Sequence, residues 1–185
     1  MSLFTKKGDD GTTGTFGCNQ RMSKSSVTAE ALGSLDETNS YLGFAKLLSK
    51  DSGFKVPNDR DFSDVISEVQ QNLFIIQAET AGADKKITDD KVKKIEDIIN
   101  EIEKELPPIT TFFISGGTEL SSTFDFSRTM ARRAERRVVD AHENKAPEIS
   151  EFTLAYLNRL SSLLYAMARL SNHLSGITEE PPNYE

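Results

Sequence analysis

At 185 residues the chain is long enough for one domain that buries roughly 70% of the surface of its unfolded form, and a second domain is not needed. Its 22 basic and 29 acidic residues leave a net charge of -7, which sets the surface as a whole against nucleic acid and anionic membranes, so that any polyanion needs a local basic pocket. The single cysteine, Cys18, excludes an internal disulfide framework and a cysteine-rich zinc site, and no run approaches the ~18 apolar residues of a membrane span. The start at Met1-Ser2-Leu3-Phe4 has neither a secretory apolar core nor an Arg-rich transit segment. The expected setting is the cytoplasm, or the mitochondrion if a targeting segment has been removed.

In chain order, residues 1–25 form a loop region. Its stretch from Thr5 to Thr15 holds three glycines, two lysines and four threonines with no apolar stripe. Glycines let successive amides form an anion-binding nest, and lysine and threonine add charge and hydroxyl donors. An unstructured arm would satisfy the same composition. It is not a Walker A loop, because no glycine is followed by Lys-Ser or Lys-Thr at the required spacing. A periodic segment from about Ser26 to Ser49 predicts the first helix. Phe62, Ile66, Val69, Leu73 and Ile76 predict the second, and Val92, Ile95, Ile99, Ile102 and Leu106 the third.

The run Ile109 to Ile114 is rich in threonine and phenylalanine and has the character of an extended segment, but one such run makes no sheet. Ile114-Ser115-Gly116-Gly117-Thr118 then opens a helix bearing Arg128, Arg132, Arg133, Glu135, Arg136 and Arg137. The last helix runs from about Ser150 to Leu174 on the stripe Leu157, Leu160, Leu164 and Met167. Breaks fall at Asp51-Ser52-Gly53 with Pro57, at Gly82-Ala83-Asp84, at Pro107-Pro108 and at Asn144 to Pro147. The fold class is all-α: a five-helix antiparallel bundle over 26–175, with a flexible tail at 176–185.

A glycine pair gives a backbone room to approach a ligand, and arginines on the following helix present planar forks suited to phosphate oxygens. A solvated face laced with ion pairs would read the same way. Advancing about 100° per residue from Ala131, on the stripe Ser127, Ala131, Ala134 and Val138, sets Arg128, Arg132 and Glu135 in one half-buried arc beside the core. Arg136 lies one step further round, and Arg133 and Arg137 face away. Asp36, Asn39 and Gly43 border the stripe of the first helix, where an aspartate needs a cationic partner. Asn158 and Ser162 border that of the last. His142 and His173 lack the paired Glu-x-x-His of di-iron bundles and read as surface or helix-end residues, and no Gly-x-Ser-x-Gly elbow, His-Glu-x-x-His or Cys-His dyad is present. Chemistry in which the substrates supply nucleophile and leaving group, while the protein orients them and steadies charge, fits that inventory.

Taken together, five pieces in one order resemble the ATP:cob(I)alamin adenosyltransferases of the propanediol-utilisation type. They are Thr5 to Gly11; Lys24 and Glu30-Ala31-Leu32-Gly33 with Asp36 to Ser40; Phe112 to Thr118; Arg128-Thr129 with Arg132 to Arg137; and Tyr156 to Ser161. The resemblance covers nearly the whole chain. It implies a homotrimer of five-helix bundles with active sites between subunits, and transfer of the 5'-deoxyadenosyl group of ATP to the cobalt of a reduced corrinoid, with Mg2+ accompanying ATP. It further implies a flavoprotein reductase and a cobalamin-dependent acceptor enzyme as partners.

By the same resemblance Thr5, Lys6, Lys7, Gly8, Thr13 and Gly14 would wrap the phosphates with Lys24. Arg132, Glu135, Arg136 and Asn158 would line the nucleotide. Arg128 would pair with Asp36 between corrinoid and ATP, Arg132 joining them in catalysis, and Phe112 would press on the lower corrin face. No residue is implied as a metal ligand. Family members usually carry Pro where Ser115 stands and His where Asp125 stands, which bears on loop geometry and corrinoid affinity. A nucleotide or corrinoid carrier without turnover and a purely structural trimer are the readings from other classes.

Overall fold

The computed structural model describes residues 4–15, 21–144 and 148–185; Cys18 and residues 145–147 of the expected break lie outside them. A short hairpin of β1 (Thr12–Gly14) and β2 (Arg21–Ser23) leads into α1 (Val27–Ser52), and a second hairpin of β3 (Lys55–Val56) and β4 (Arg60–Asp61) leads into α2 (Phe62–Thr80). Then follow α3 (Asp89–Glu105), α4 (Glu119–Glu143) and α5 (Glu151–Leu174). All five expected helices form. No strand forms at 109–114, whereas the four short strands sit in stretches expected to be loops.

Local chemistry sets the helix ends. The side chain of Ser26 accepts from the Ala29 amide, that of Ser150 from the Thr153 amide, and Thr118 and Ser121 form a reciprocal capping box. Gly53 ends α1 in a left-handed conformation at φ 66°.

Around the bundle the packing order is α2, α1, α4, α5, α3. Directions follow from cross-contacts. Glu30 meets Arg137 while Glu37 meets Arg133, so α1 and α4 are antiparallel. Glu135 meets Asn158 while Arg128 meets Tyr165, so α4 and α5 are too. Glu96 bonds Arg159, and Pro107, just past the end of α3, bonds Arg169, so α3 runs parallel to its neighbour α5. Consecutive helices alternate in direction as expected for a bundle, but the fifth helix added to a four-helix frame must lie alongside one of its own sense.

The core runs through Leu35, Leu42, Phe62, Ile66, Leu73, Phe124, Tyr156, Leu157 and Leu160, each buried, and each such large side chain contributes about 1.5–3 kcal/mol. The stripe Ser127, Ala131, Ala134 and Val138 is buried as read from its spacing. No helix among the described residues is long and apolar enough to cross a membrane.

Two features depart from sequence expectation. The tail is fastened: the Ile114 amide donates to the Glu180 carbonyl at 2.9 Å, and Arg169 binds Glu179 at 2.8 Å. Glu79 on α2, 2% exposed, caps a different helix, its carboxylate accepting from the Ser150 amide at 2.7 Å and from the Thr153 hydroxyl at 2.5 Å. A carboxylate at a helix N-terminus meets the positive end of the helix dipole. Glu79→Ala would leave a buried hydroxyl and a half-buried amide unpaired, so we expect a loss of about 2 kcal/mol and a Tm lower by about 4–8 °C. A thermal melt within 1 °C of the unaltered protein, on the order of experimental error, would show that α5 does not depend on this cap.

Candidate functional site

Pro107 and Pro108 stop α3 from continuing, and the chain then runs as an irregular segment until Thr118 caps α4. Between this segment and the faces of α4 and α5 lies a cavity of about 590 Å³, within the range of small-molecule sites. One wall is apolar, from Ile109, Phe112, Phe113 and the Tyr165 ring. The other carries the guanidinium groups of Arg128 and Arg132, with Ser161 and Ser162 between. Phe112 stands at the mouth, 79% exposed.

The segment turns on Gly116 and Gly117, at φ 129° and 121°. Sequence reasoning gave this pair to a ligand, but the space at Gly117 is taken by Asn172 of α5. A Cβ there would come within 2.9 Å of the Asn172 Cγ and closer still to its oxygen. Asn172 donates to the Gly116 carbonyl at 2.9 Å, and Ser121 donates to the same carbonyl at 3.2 Å. Gly117 therefore fixes where the loop crosses α5, whereas the space at Gly116 stays open.

The cluster of five arginines on α4 divides by partner. Arg133 pairs with Glu37 and Arg137 with Glu30, joining α4 to α1, in keeping with their outward-facing assignment. Arg128, half-buried, lies 3.4 Å from Asp125 one turn earlier and 5.8 Å from the Tyr165 ring centroid. Its expected partner Asp36 is exposed on α1 and makes no ion pair among the described residues, so the Asp36–Arg128 pair is not made within one chain. The carboxylate of Asp125 supplies the nearer charge. Arg132 and Arg136 are exposed, Arg132 more so than its helical position suggested, and neither has a hydrogen bond or ion pair among the described residues. Glu135 accepts from the Asn158 amide at 3.1 Å, and Arg159 binds the Asn158 oxygen and Glu96.

The glycine-rich loop is folded on itself. Lys24 donates from Nζ to the Gly8 carbonyl at 2.9 Å, and Arg21 from Nε to the Thr12 hydroxyl at 2.7 Å, with further bonds to the Thr12 and Lys7 carbonyls. Asp10 accepts from the Thr12 hydroxyl and amide, which holds its carboxyl below the ordinary range. Lys6 takes φ 59°, while Thr5, Lys6, Lys7 and Gly14 are exposed and Gly8 and Thr13 half-buried. None of these residues lines the cavity on α4 and α5. The structure thus brings Phe112, Arg128 and Arg132 together and leaves the loop as a separate cluster.

Sequence reasoning missed Tyr165, Arg169 and Asn172. The one available signal was a lone arginine inside the apolar run 163–170. Among the described residues no three of His, Cys, Asp and Glu come together as a metal site.

The model of the cobalamin adenosyltransferase family matches residues 3–171. The corrinoid adenosyltransferase of Bacillus subtilis is 39% identical over 181 residues, covering 96% of this chain and 90% of its own length. The corrinoid adenosyltransferase PduO of Citrobacter freundii is 35% identical over 94% of this chain, which spans 50% of that protein. Among solved structures, a phenylalanine-to-alanine variant of the PduO-type ATP:corrinoid adenosyltransferase from Lactobacillus reuteri, complexed with cobalamin and ATP, has a TM-score of 0.86. It is 28% identical and is matched over 98% of this chain and 99% of that one.

Proposed function

The chain belongs to the cobalamin adenosyltransferase family, and from that premise we propose that it is an ATP:cob(I)alamin adenosyltransferase using the cavity on α4 and α5. Cobalt(I) attacks the ribose C5' of ATP in line, the new Co–C bond forms as the C5'–O bond breaks, and that electron pair leaves with triphosphate. Cobalt passes from the +1 to the +3 state, and no protein base is required. Orienting cobalt against C5' is worth about 7–11 kcal/mol.

The observation that carries this reading is the cavity's division into an aromatic wall and the guanidinium of Arg132, which has no partner among the described residues. A planar corrin suits the first, and Phe112 offers no atom to replace an axial ligand of cobalt. A departing triphosphate suits the second: Arg132 and Arg136 would take its charge, with Asn158 and Glu135 orienting the nucleoside. Thr5, Lys6, Lys7, Gly8, Thr13, Gly14 and Lys24 would close over the phosphates. Mg2+ would accompany ATP and help to neutralise the departing triphosphate.

A trimer would unite the two separate clusters across subunit boundaries and give Asp36 its arginine. Its support is an exposed aromatic patch in which Phe44 and Phe126 flank Tyr41, with ring centroids at 6.1 and 5.0 Å. A one-electron donor, in our reading a flavoprotein reductase, would make cobalt(I), and a cobalamin-dependent enzyme would accept the product.

The test is an anaerobic absorbance spectrum of chemically reduced cob(I)alamin mixed with the protein, ATP and Mg2+. Conversion to light-sensitive adenosylcobalamin is the expected result. No conversion by folded protein that binds ATP would replace the enzyme with a carrier.

A further inference from the structure

Arg169 is the one buried arginine among the described residues, 5% exposed in the apolar last turns of α5. Three partners hold its guanidinium. Nε donates to Glu179 at 2.8 Å, the terminal nitrogen donates to the Pro107 carbonyl at 3.1 Å, and the group lies 5.1 Å from the Phe113 ring centroid. Beside it the Ile114 amide donates to the Glu180 carbonyl at 2.9 Å. These contacts grip the segment on both sides of Phe112, whose own side chain is almost wholly in solvent and has little packing to hold it. A cavity of about 320 Å³ lies behind Phe113, between Leu106, Arg169 and Ile177, so close packing does not fix the segment from that side either.

Burying a charged group is costly, and an apolar side chain of similar volume would serve α5 as well or better for stability alone. What the planar fork adds is direction, because it meets two fixed acceptors and a ring face at once. We propose that Arg169 is a positioning residue for the corrinoid side of the site, holding the stretch 176–185 as a strap that sets the Phe112 wall. The inference rests on the adenosyltransferase reading and adds a determinant of corrinoid affinity that touches neither substrate.

The test uses the full chain with the double substitution Arg169→Met and Glu179→Gln, which removes both charges and keeps the volumes. Glu179→Gln alone serves if the double variant fails to fold. Amide exchange at Ile114 should accelerate at least about tenfold, and KM for cobalamin should rise about tenfold while KM for ATP stays within about twofold. Unchanged exchange at Ile114, an unchanged KM for cobalamin, or parallel rises in both KM values would each overturn the positioning role. No conversion by the unaltered protein would overturn the functional reading and this inference with it. Normal conversion with an insensitive KM for cobalamin would overturn this inference alone.

Discussion

Arg132→Ala is expected to lower kcat for adenosyl transfer by about 100- to 1,000-fold, the effect of removing one preorganised donor from developing negative charge. The size follows from position. Arg132 lines the cavity beside the apolar wall, and among the described residues no carboxylate already satisfies it. Because it is exposed and unpartnered, its loss should leave the melting temperature within about 1 °C, as for other surface substitutions. Arg132→Lys keeps the charge but loses the two-pronged geometry and should recover only part of the rate. Steady-state kinetics beside a thermal melt decides the matter: near-normal kcat in the alanine variant would remove Arg132 from the transition state. A fall in rate matched by a fall in Tm would instead mark a folding defect.

Gly117→Ala should be strongly destabilising. Its φ of 121° is one that a residue with a Cβ adopts at a cost of about 1–3 kcal/mol. The added methyl would also strike Asn172, which is 5% exposed and bonded to the Gly116 carbonyl. Overpacking of this kind costs about 1–3 kcal/mol more. Gly116→Ala is the control: its φ is also positive, but the nearest obstacle to a Cβ is the Ser122 hydroxyl at 4.0 Å, so it should suffer the backbone cost alone. Denaturant unfolding of both variants, and of Gly117→Ala combined with Asn172→Ala, measures the two contributions separately. Equal losses for the two glycines, with no relief from the second substitution, would mean that Asn172 yields freely and does not anchor the loop.

Much of the fold was legible because burial follows spacing. The repeats at Phe62 to Ile76 and Val92 to Leu106 place apolar groups on one side of a helix, and water enforces that preference locally. The arc on α4 was legible for the same reason, and it sorted Arg128 and Glu135 beside the core from Arg133 and Arg137 outside it. Partners were not. Periodicity says that Arg128 borders the core but not whether Asp125 or Asp36 lies nearer, since that depends on how rigid helices dock. Asn172 and Arg169 sit on a helix whose pattern is satisfied by its leucines, and their targets lie 56 and 62 positions earlier in the sequence. Such long-range hydrogen bonds leave no periodic trace. The composition of 176–185 suggests a free end, and only the tertiary partners Arg169 and Ile114 say otherwise.

The packing order has a consequence for synthesis. Helix α1 is covered on one side by α2, its immediate successor, but on the other by α4, with α3 and both loops intervening. At about 5–20 residues per second, the ribosome leaves that second flank uncovered for on the order of ten seconds after α1 emerges. During that interval the nascent α1–α2 hairpin would expose an apolar flank of the kind that chaperones bind. Slowing translation downstream of α2 should therefore lower soluble yield even though the finished protein is unchanged.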